Sequence, residues 1–123
     1  MWDYRAAALR VIDGDTVVFL TDTGFHGRQE VELRLAEVSA PELNQLGGLE
    51  TKAFVVGWIE QNGAPLMRWP FRMQTQVNTN PEPAEKRSFT RYIGWIHSFA
   101  TSRSLNMDVI DYLDQHPQWG SGS

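Results

Sequence analysis

The first 35 residues of the chain contain three short β-strand candidates that are separated only by turn sequences. Residues 6–12 and 16–20 flank the turn Asp13-Gly14-Asp15, and a loop that begins at Asp22 leads to the third candidate. Parallel strands need a long crossover connection, so strands joined by short turns pair in an antiparallel way. The pattern excludes a doubly wound parallel sheet and favours a small closed antiparallel barrel, since closure leaves no exposed sheet edge.

The third strand, from Glu30 to Leu35, shows a clean alternation of charged and apolar residues. The apolar positions are Val31, Leu33 and Leu35, and the charged positions are Glu30, Glu32 and Arg34. Since successive side chains of a strand point to opposite faces, one face is apolar and the other is charged. The alternation predicts a half-buried antiparallel strand with Arg34 on the face away from the core.

A helix is predicted from about Leu49 to Gln61, after two glycines and before the stop signal Asn62-Gly63. Apolar residues recur along it at helical spacing: Leu49, Ala53, Val56 and Ile59, with Phe54 and Trp58 beside them. This stripe is predicted to face the core.

Two further strands and a second helix are predicted in the rest of the chain. Residues 66–77 and 91–99 are rich in aromatic and β-branched residues, which are typical of strands. The polar segment 78–86 contains two prolines and is predicted to be an exposed loop. Ser104 is the predicted N-cap of the last helix, which ends at His116-Pro117.

The chain has 123 residues, of which 41% are hydrophobic, enough for one core. Three strands, a helix, two strands and a second helix match the five-stranded oligonucleotide-binding barrel (OB-fold), an α+β and mainly β fold. We predict a single domain over residues 1–117. Residues 118–123, which end in Gly-Ser-Gly-Ser, are predicted to form a flexible tail.

Composition excludes several classes of protein. There is no run of about 18 apolar residues, so we expect no transmembrane helix and no membrane partner. The absence of cysteine excludes a disulfide scaffold, a thiolate zinc site and a cysteine nucleophile. The N-terminus lacks a basic segment followed by an apolar stretch, so we expect no secretory signal and a cytoplasmic location.

The net charge of −4 is unevenly distributed along the chain. Residues 1–42 carry a net −4 and residues 108–123 a net −3, whereas residues 43–81 and 82–107 carry +1 and +2. An acidic chain is not typical of a protein that coats nucleic acid. The N-terminal carboxylates indicate either solvated surface or a cation site, because closely spaced carboxylates repel unless a positive charge offsets them.

Two clusters in the first half contain residues suited to phosphate chemistry. Asp13 and Asp15 flank a glycine and can place a carboxylate beside a hard cation, although most such tripeptides are plain hairpin turns. Arg34 suits bidentate phosphate contact, and Glu42, just after the strand, can orient or deprotonate a water. The alternative interpretation is a surface ion pair of Arg34 with Glu32 or Glu42.

A third cluster runs from Lys86 to Trp95 and contains Arg91. Its basic start and interleaved aromatic residues suit phosphate binding or base stacking, and the alternative is an ordinary strand with a charged start. Trp69, Phe71 and Trp95 would serve a plain single-strand binder. They alternate with polar residues as core strand positions do, which favours packing over binding.

Taken together, the three clusters resemble the motif series of the staphylococcal nuclease family. The series is Asp13-Gly14-Asp15-Thr16, then Arg34-Leu35 ahead of Ala40-Pro41-Glu42, then Arg91 at the start of a later strand. The Gly-rich stretch and helix after Glu42, and Leu105-Asn106 at the last helix, are also similar to that family. The resemblance covers roughly residues 10–113.

The resemblance implies an OB-fold enzyme that uses calcium to hydrolyse phosphodiester bonds in DNA or RNA. It implies that Asp15 is a metal ligand and that Arg34 binds the scissile phosphate. Glu42 would orient or deprotonate the attacking water, and Arg91 would stabilise charge on the phosphate and the leaving group. A cation and two arginines would offset the negative charge that gathers on a phosphodiester during hydrolysis.

One position departs from the family pattern. The family usually has an aspartate, a second carboxylate ligand, where this chain has Ser39. The Ser39 hydroxyl and the Ala40 carbonyl remain as oxygen ligands, and the loss of one negative charge is expected to weaken the calcium site.

Two functions of different classes follow. The first is an active calcium-dependent nuclease with a weakened metal site. The second is a nuclease-like OB-fold domain with little or no catalysis, which binds nucleic acid or a protein partner in an assembly. Compact nucleases of this family occur in bacteria and their phages, so the second function includes a phage-encoded protein carried in a particle.

Overall fold

The computed structural model describes residues 2–64, 66–76 and 91–119, with the backbone alone for Trp2 and Arg91. Its elements are β1 (Trp2–Asp13), β2 (Thr16–Gly24), β3 (Gly27–Leu35), α1 (Gly48–Asn62), β4 (Phe71–Thr75), β5 (Arg91–Ser98) and α2 (Leu105–Asp114). The seven predicted elements are therefore present in the predicted order. The loop predicted over residues 78–86 and the end of the predicted tail, residues 120–123, lie outside the described residues.

The five strands form a closed barrel in the order β1-β2-β3-β5-β4. This confirms the predicted mainly β barrel with two helices. One pairing corrects the prediction, because β3 and β5 run parallel, with Glu32 beside Arg91 and Leu35 beside Gly94. A parallel pair needs a long connection, and α1 and β4 lie between these two strands in the chain and provide it.

The barrel interior is a continuous apolar core. Phe19 and Phe71 meet edge to face with ring centroids 6.3 Å apart, and Trp58 of α1 stacks on Phe71 at 5.8 Å. Leu105 and Val109 add the buried face of α2. Each helix therefore packs one side against the barrel, and neither helix of the described part has the length and apolar content needed to cross a bilayer.

The face of α1 that packs on the core differs from the prediction. Leu49 is 65% exposed and Val56 is 37% exposed, so most of the predicted apolar stripe faces solvent, and of its members Ile59 packs against the core. The buried positions are Gly48, Thr51, Val55, Trp58 and Asn62. Two polar residues can be buried there because they find partners: the Thr51 hydroxyl donates to the Gly47 carbonyl at 2.7 Å, and the Asn62 amide donates to the Trp58 carbonyl at 3.0 Å.

The outer face of β3 also differs from the prediction. Glu32, expected on the solvent face, is 1% exposed, whereas Arg34 at the end of the strand is half-buried. The residue of β2 that pairs with Glu32 is Val18, which is fully buried. Both faces of the barrel wall are therefore covered at the level of Glu32 and Val18, whereas Arg34 is partly open to solvent.

The predicted cap of α2 is confirmed, since the Ser104 hydroxyl accepts a hydrogen bond from the Met107 amide. Beyond α2, the Trp119 ring stacks on His116 with centroids 4.0 Å apart. The same ring lies directly over Gly47, where a side chain would collide with it. The boundary predicted at residue 117 thus falls two residues before the last packed side chain of the described part.

Candidate active site

The β1–β2 turn holds the predicted metal ligand Asp15. Its backbone amide donates to the Asp13 carboxylate at 3.1 Å, and the Thr16 hydroxyl donates to the Asp15 carboxylate at 3.0 Å. The first of these, a hydrogen bond from a backbone amide to the carboxylate two residues earlier in the chain, stabilises tight turns. The turn interpretation of this tripeptide is therefore correct, and the turn also aims two carboxylates at one region.

Gly14 lets this turn pack against the loop that precedes α1. A β-carbon on Gly14 would lie 2.5 Å from the Thr51 methyl carbon and 2.8 Å from the Ala40 β-carbon. Any side chain would push the turn away from both residues. The glycine thus places Asp15 next to the loop containing Ala40, another predicted metal ligand.

Arg34 is joined to the turn through the pairing of β2 and β3. Its register partner is Thr16, and its guanidinium lies 3.6 Å from the Asp15 carboxylate. The same nitrogen donates to the Val38 carbonyl at 3.2 Å. Arg34 therefore pairs with Asp15, whereas the alternative interpretation of the sequence placed Glu32 or Glu42 opposite it.

Burial and charge together change the acidity of Asp15. Burial first, and then the neighbouring Asp13 carboxylate, raise the pKa of the Asp15 carboxyl, which lies at about 6 although Thr16 and Arg34 act in the opposite direction. Near neutral pH this carboxyl can therefore exchange a proton. A positive charge placed beside the two carboxylates would favour their ionised forms.

The loop from Ala36 to Gly47 carries the remaining predicted site residues of the first half. Ser39 and Glu42 are exposed, whereas Ala40 is 3% exposed and packs beneath them. The Glu42 amide donates to the Gln45 side chain at 2.8 Å, and its carbonyl lies against Gly48, where a β-carbon would clash. The backbone at Glu42 is thus held firmly while its carboxylate faces solvent.

The backbone of Arg91 lies beside β3 through the parallel pairing of β3 and β5. Its backbone pairs with Glu32, and two residues later Ile93 pairs with Arg34. The fold therefore brings Arg91 to the strand next to Arg34, although the two are distant in sequence. The prediction that both belong to one site is consistent with this register.

Asn106 is a further residue of the site region whose role the sequence pattern did not reveal. It is fully buried, and its amide donates to the carbonyls of Ala36 and Gly94 at 3.0 Å each. Its side-chain oxygen accepts from the Ile96 amide at 3.0 Å. One side chain of α2 therefore ties the start of the site loop to β5. The only signal in the sequence was its place in Leu105-Asn106, part of the family resemblance.

The predicted site residues differ in how closely the fold brings them to one another. Asp15 and Arg34 are in direct contact, Ala40 packs beside the turn, and Arg91 lies on the adjoining strand. Glu42 is on the same loop, with its side chain free of contact with Asp15 or Arg34. Within residues 2–64, 66–76 and 91–119, no three histidine or carboxylate side chains are grouped as a metal site would require.

Neither protein-family models nor curated protein sequences yield a match to this chain. The case for a function therefore depends on the motifs, their order and the geometry just described.

Proposed function

We propose that this protein is a metal-dependent phosphodiesterase, similar to the staphylococcal nuclease family, that hydrolyses DNA or RNA. The observation that carries the proposal is the contact of Asp15 with Arg34 at the edge of the barrel, 3.6 Å apart. It joins a carboxylate suited to a cation with a guanidinium suited to a phosphate. With a cation bound beside Arg34, such a site would be locally positive and would attract a phosphodiester, even in a chain of net charge −4.

Arg34 is the residue proposed to bind the scissile phosphate. Its side chain is 28% exposed, and one of its nitrogens is held by the Val38 carbonyl and faces Asp15. A guanidinium has five N–H donors in a rigid plane, so donors remain for two phosphate oxygens. Arg91, on the next strand, is proposed to stabilise the charge that develops on the phosphate and the leaving oxygen.

Glu42 is proposed to act on the attacking water. An ionised carboxylate accepts hydrogen bonds only, so it can orient a water and accept its proton as the oxygen attacks phosphorus. The phosphorus–oxygen bond to the leaving group then breaks, and that oxygen takes a proton from solvent. The exposed carboxylate and the fixed backbone of Glu42 support this role.

Calcium is the cofactor that the resemblance implies, and the oxygen atoms near the turn are of the kind it prefers. Asp15, Ala40 and Ser39 are the proposed ligands, and the Asp13 carboxylate adjoins them. The raised pKa of Asp15 beside Asp13 fits a cation at this place. When bound, calcium supplies positive charge that stabilises negative charge on the phosphate. With Ser39 in place of a carboxylate, we propose that binding is weak.

Cleavage of a labelled oligonucleotide tests the proposal. Purified protein should degrade single-stranded DNA or RNA in millimolar calcium and stop when a chelator is added. Glu42→Gln should lower turnover by roughly 100-fold with little change in oligonucleotide binding. The matched control is Glu37→Gln, which alters another exposed glutamate of the same loop and should leave turnover unchanged.

A second candidate is a nuclease-like domain that binds nucleic acid without cutting it. Two observations favour it: the serine at position 39 and the separation of the Glu42 side chain from the Asp15–Arg34 pair. Folded protein that binds the oligonucleotide but leaves it intact with calcium, magnesium and manganese would establish this function. Protein that neither binds nor cuts would overturn both.

A further inference from the structure

An open groove of about 770 Å³ lies between α1 and α2. Its lining includes apolar, aromatic and charged side chains: Ala53, Phe54, Trp58, Asp108, Asp111 and Tyr112. The residues of the candidate active site do not contribute to it. The volume is within the roughly 300–1,000 Å³ of established ligand sites.

Gly57 lies in this groove, in the interior of α1. A glycine inside a helix destabilises it relative to alanine, so it usually needs a steric reason. Gly48, at the start of α1, has such a reason, since a β-carbon there would collide with the Glu42 backbone. At Gly57, apart from its chain neighbours and the backbone of α1 itself, no atom of the described residues lies within 4 Å of that position. The open space above this glycine is therefore unused by the packing of the chain itself.

The wall of the groove continues into an exposed apolar face of α1. Leu49, Ala53 and Val56 follow one another at helical spacing, and Leu49 and Val56 are 65% and 37% exposed. Phe54 and Tyr112 stack with ring centroids 4.2 Å apart and join the two helices at one end. A continuous apolar surface next to an open groove is typical of an interaction site.

Carboxylates outnumber cations around this groove. Arg103 is the cation of the lining, and both of its guanidinium contacts, at 2.8 Å each, are with Asp108. Asp111 lies in the lining as well, and Glu60 is exposed on the next turn of α1 after Gly57. No basic residue occupies the last turn of α1 or α2. The surroundings are thus acidic.

We propose that the groove between α1 and α2 binds a basic amphipathic helix of a partner protein. An amphipathic helix places apolar side chains into such a groove at i, i+3 or i+4 and i+7. Close approach of two helix axes needs small side chains at the crossing point, and Gly57 and Ala53 provide them. Lysine or arginine on the flank of the bound helix then faces Asp111 and Glu60.

The charge pattern selects this occupant over two others. A nucleic-acid backbone would bring phosphates to a surface where Asp111 and Glu60 are exposed. A second copy of the chain, packed about a two-fold axis, would bring Asp111 and Glu60 close to their own counterparts, and this repulsion favours a different, basic partner.

The probe is a synthetic amphipathic helix about 14 residues long, with leucine on one face and lysine on the other. Two control peptides are a twin with glutamate in place of lysine and a scrambled sequence of the same composition. We expect the lysine peptide to bind at least roughly tenfold more tightly than either control. Amide shifts in the NMR spectrum should map to residues 53–61 of α1 and residues 108–115 of α2.

Variants of the protein separate binding from folding. Gly57→Leu should weaken the lysine peptide by at least roughly tenfold, yet leave the unfolding midpoint equal or higher, because nothing lies near that position. If Gly57→Leu does not fold, Gly57→Ala, which adds a smaller side chain at the same position, replaces it in the peptide-binding measurement. Met107→Leu, on an exposed position of α2 outside the groove lining, is the control and should bind normally.

Three outcomes would overturn the inference. They are equal binding of the scrambled or acidic peptide, amide shifts that map elsewhere, and a wild-type dimer in light scattering that Gly57→Leu abolishes. The last result would assign the groove to a second copy of this chain.

Discussion

Gly14 lies so close to Ala40 that a β-carbon on the glycine would come within 2.8 Å of the Ala40 β-carbon. This contact places the turn that holds Asp15 against the loop that holds Ser39 and Glu42. The two parts of the candidate site can therefore pack together because Gly14 has no side chain.

Gly14→Ala should accordingly destabilise the protein by about 1–3 kcal/mol, because the added methyl group overlaps Ala40 and Thr51. Urea unfolding followed by circular dichroism measures the change. Gly57→Ala is the matched control, since it adds the same methyl group to open space and should stabilise the protein by about 0.5–1 kcal/mol. Equal effects of the two substitutions would show that the Gly14 contact is not a constraint.

Asp15 makes stability depend on pH. Its pKa is raised from 3.8 to about 6 in the folded protein, mainly by burial and then by Asp13, so the fold holds the proton more tightly than the unfolded chain does. This contribution is fully present below pH 3.8 and is lost as the pH rises through about 6. Asparagine resembles the protonated carboxyl at every pH. The change in the free energy of unfolding caused by Asp15→Asn should therefore be more favourable at pH 7 than at pH 4, by about 1–3 kcal/mol. Urea unfolding at both pH values is the measurement, and the same difference at both would exclude this role.

Ser39→Asp should tighten calcium binding by on the order of tenfold, because it adds a carboxylate next to Ala40. Isothermal titration calorimetry with calcium measures the change. Ser102→Asp makes the same substitution at an exposed position of the loop between β5 and α2 and should have no effect. An unchanged dissociation constant for the position-39 variant would show that this residue does not face the cation.

Asn106→Leu should destabilise the protein by about 3 kcal/mol or more. The substitution leaves the Ile96 amide and the Ala36 and Gly94 carbonyls without their side-chain partner in a fully buried place. Hydrogen exchange should show faster exchange of the Ile96 amide. Asn106→Asp should retain the acceptor for that amide but bring a carboxylate against two carbonyls, so protection of Ile96 should return only in part.

Phe25 is fully exposed at the β2–β3 turn and has a φ angle of 51°. A bulky residue seldom adopts this left-handed conformation, whereas asparagine adopts it readily. Phe25→Asn should therefore raise the free energy of unfolding by about 0.5–1 kcal/mol. Phe25→Val should lower it, because branching at the β-carbon makes the conformation less favourable. A stabilising valine would contradict the assignment of strain to this residue.

The elements whose signals are local could be predicted from the sequence. The alternation in β3 located its inward residues, and the side chain of Ser104 caps α2 as its sequence position indicated. The family resemblance also implied that Asp15 and Arg34 share one site, and their contact is consistent with that placement.

Features that depend on distant partners could not be predicted. The helix α1 carries apolar residues on more than one side, and the buried Asn62 on its polar side finds a partner 39 residues away, since the Thr101 hydroxyl donates to its side-chain oxygen at 2.8 Å. The burial of Glu32 and the parallel pairing of β3 with β5 likewise depend on strands far apart in the chain. The link from Asn106 to Ala36 spans 70 residues and leaves no periodic pattern.

The parallel pairing of β3 with β5 also has a consequence for the order of folding. Arg34 and Arg91 come to lie on adjoining strands only when the barrel closes, after α1 and β4 have also been synthesised. A nascent chain that ends after β3 contains Asp15 and Arg34 and lacks Arg91. An activity that requires both arginines therefore cannot begin before the ribosome has synthesised β5.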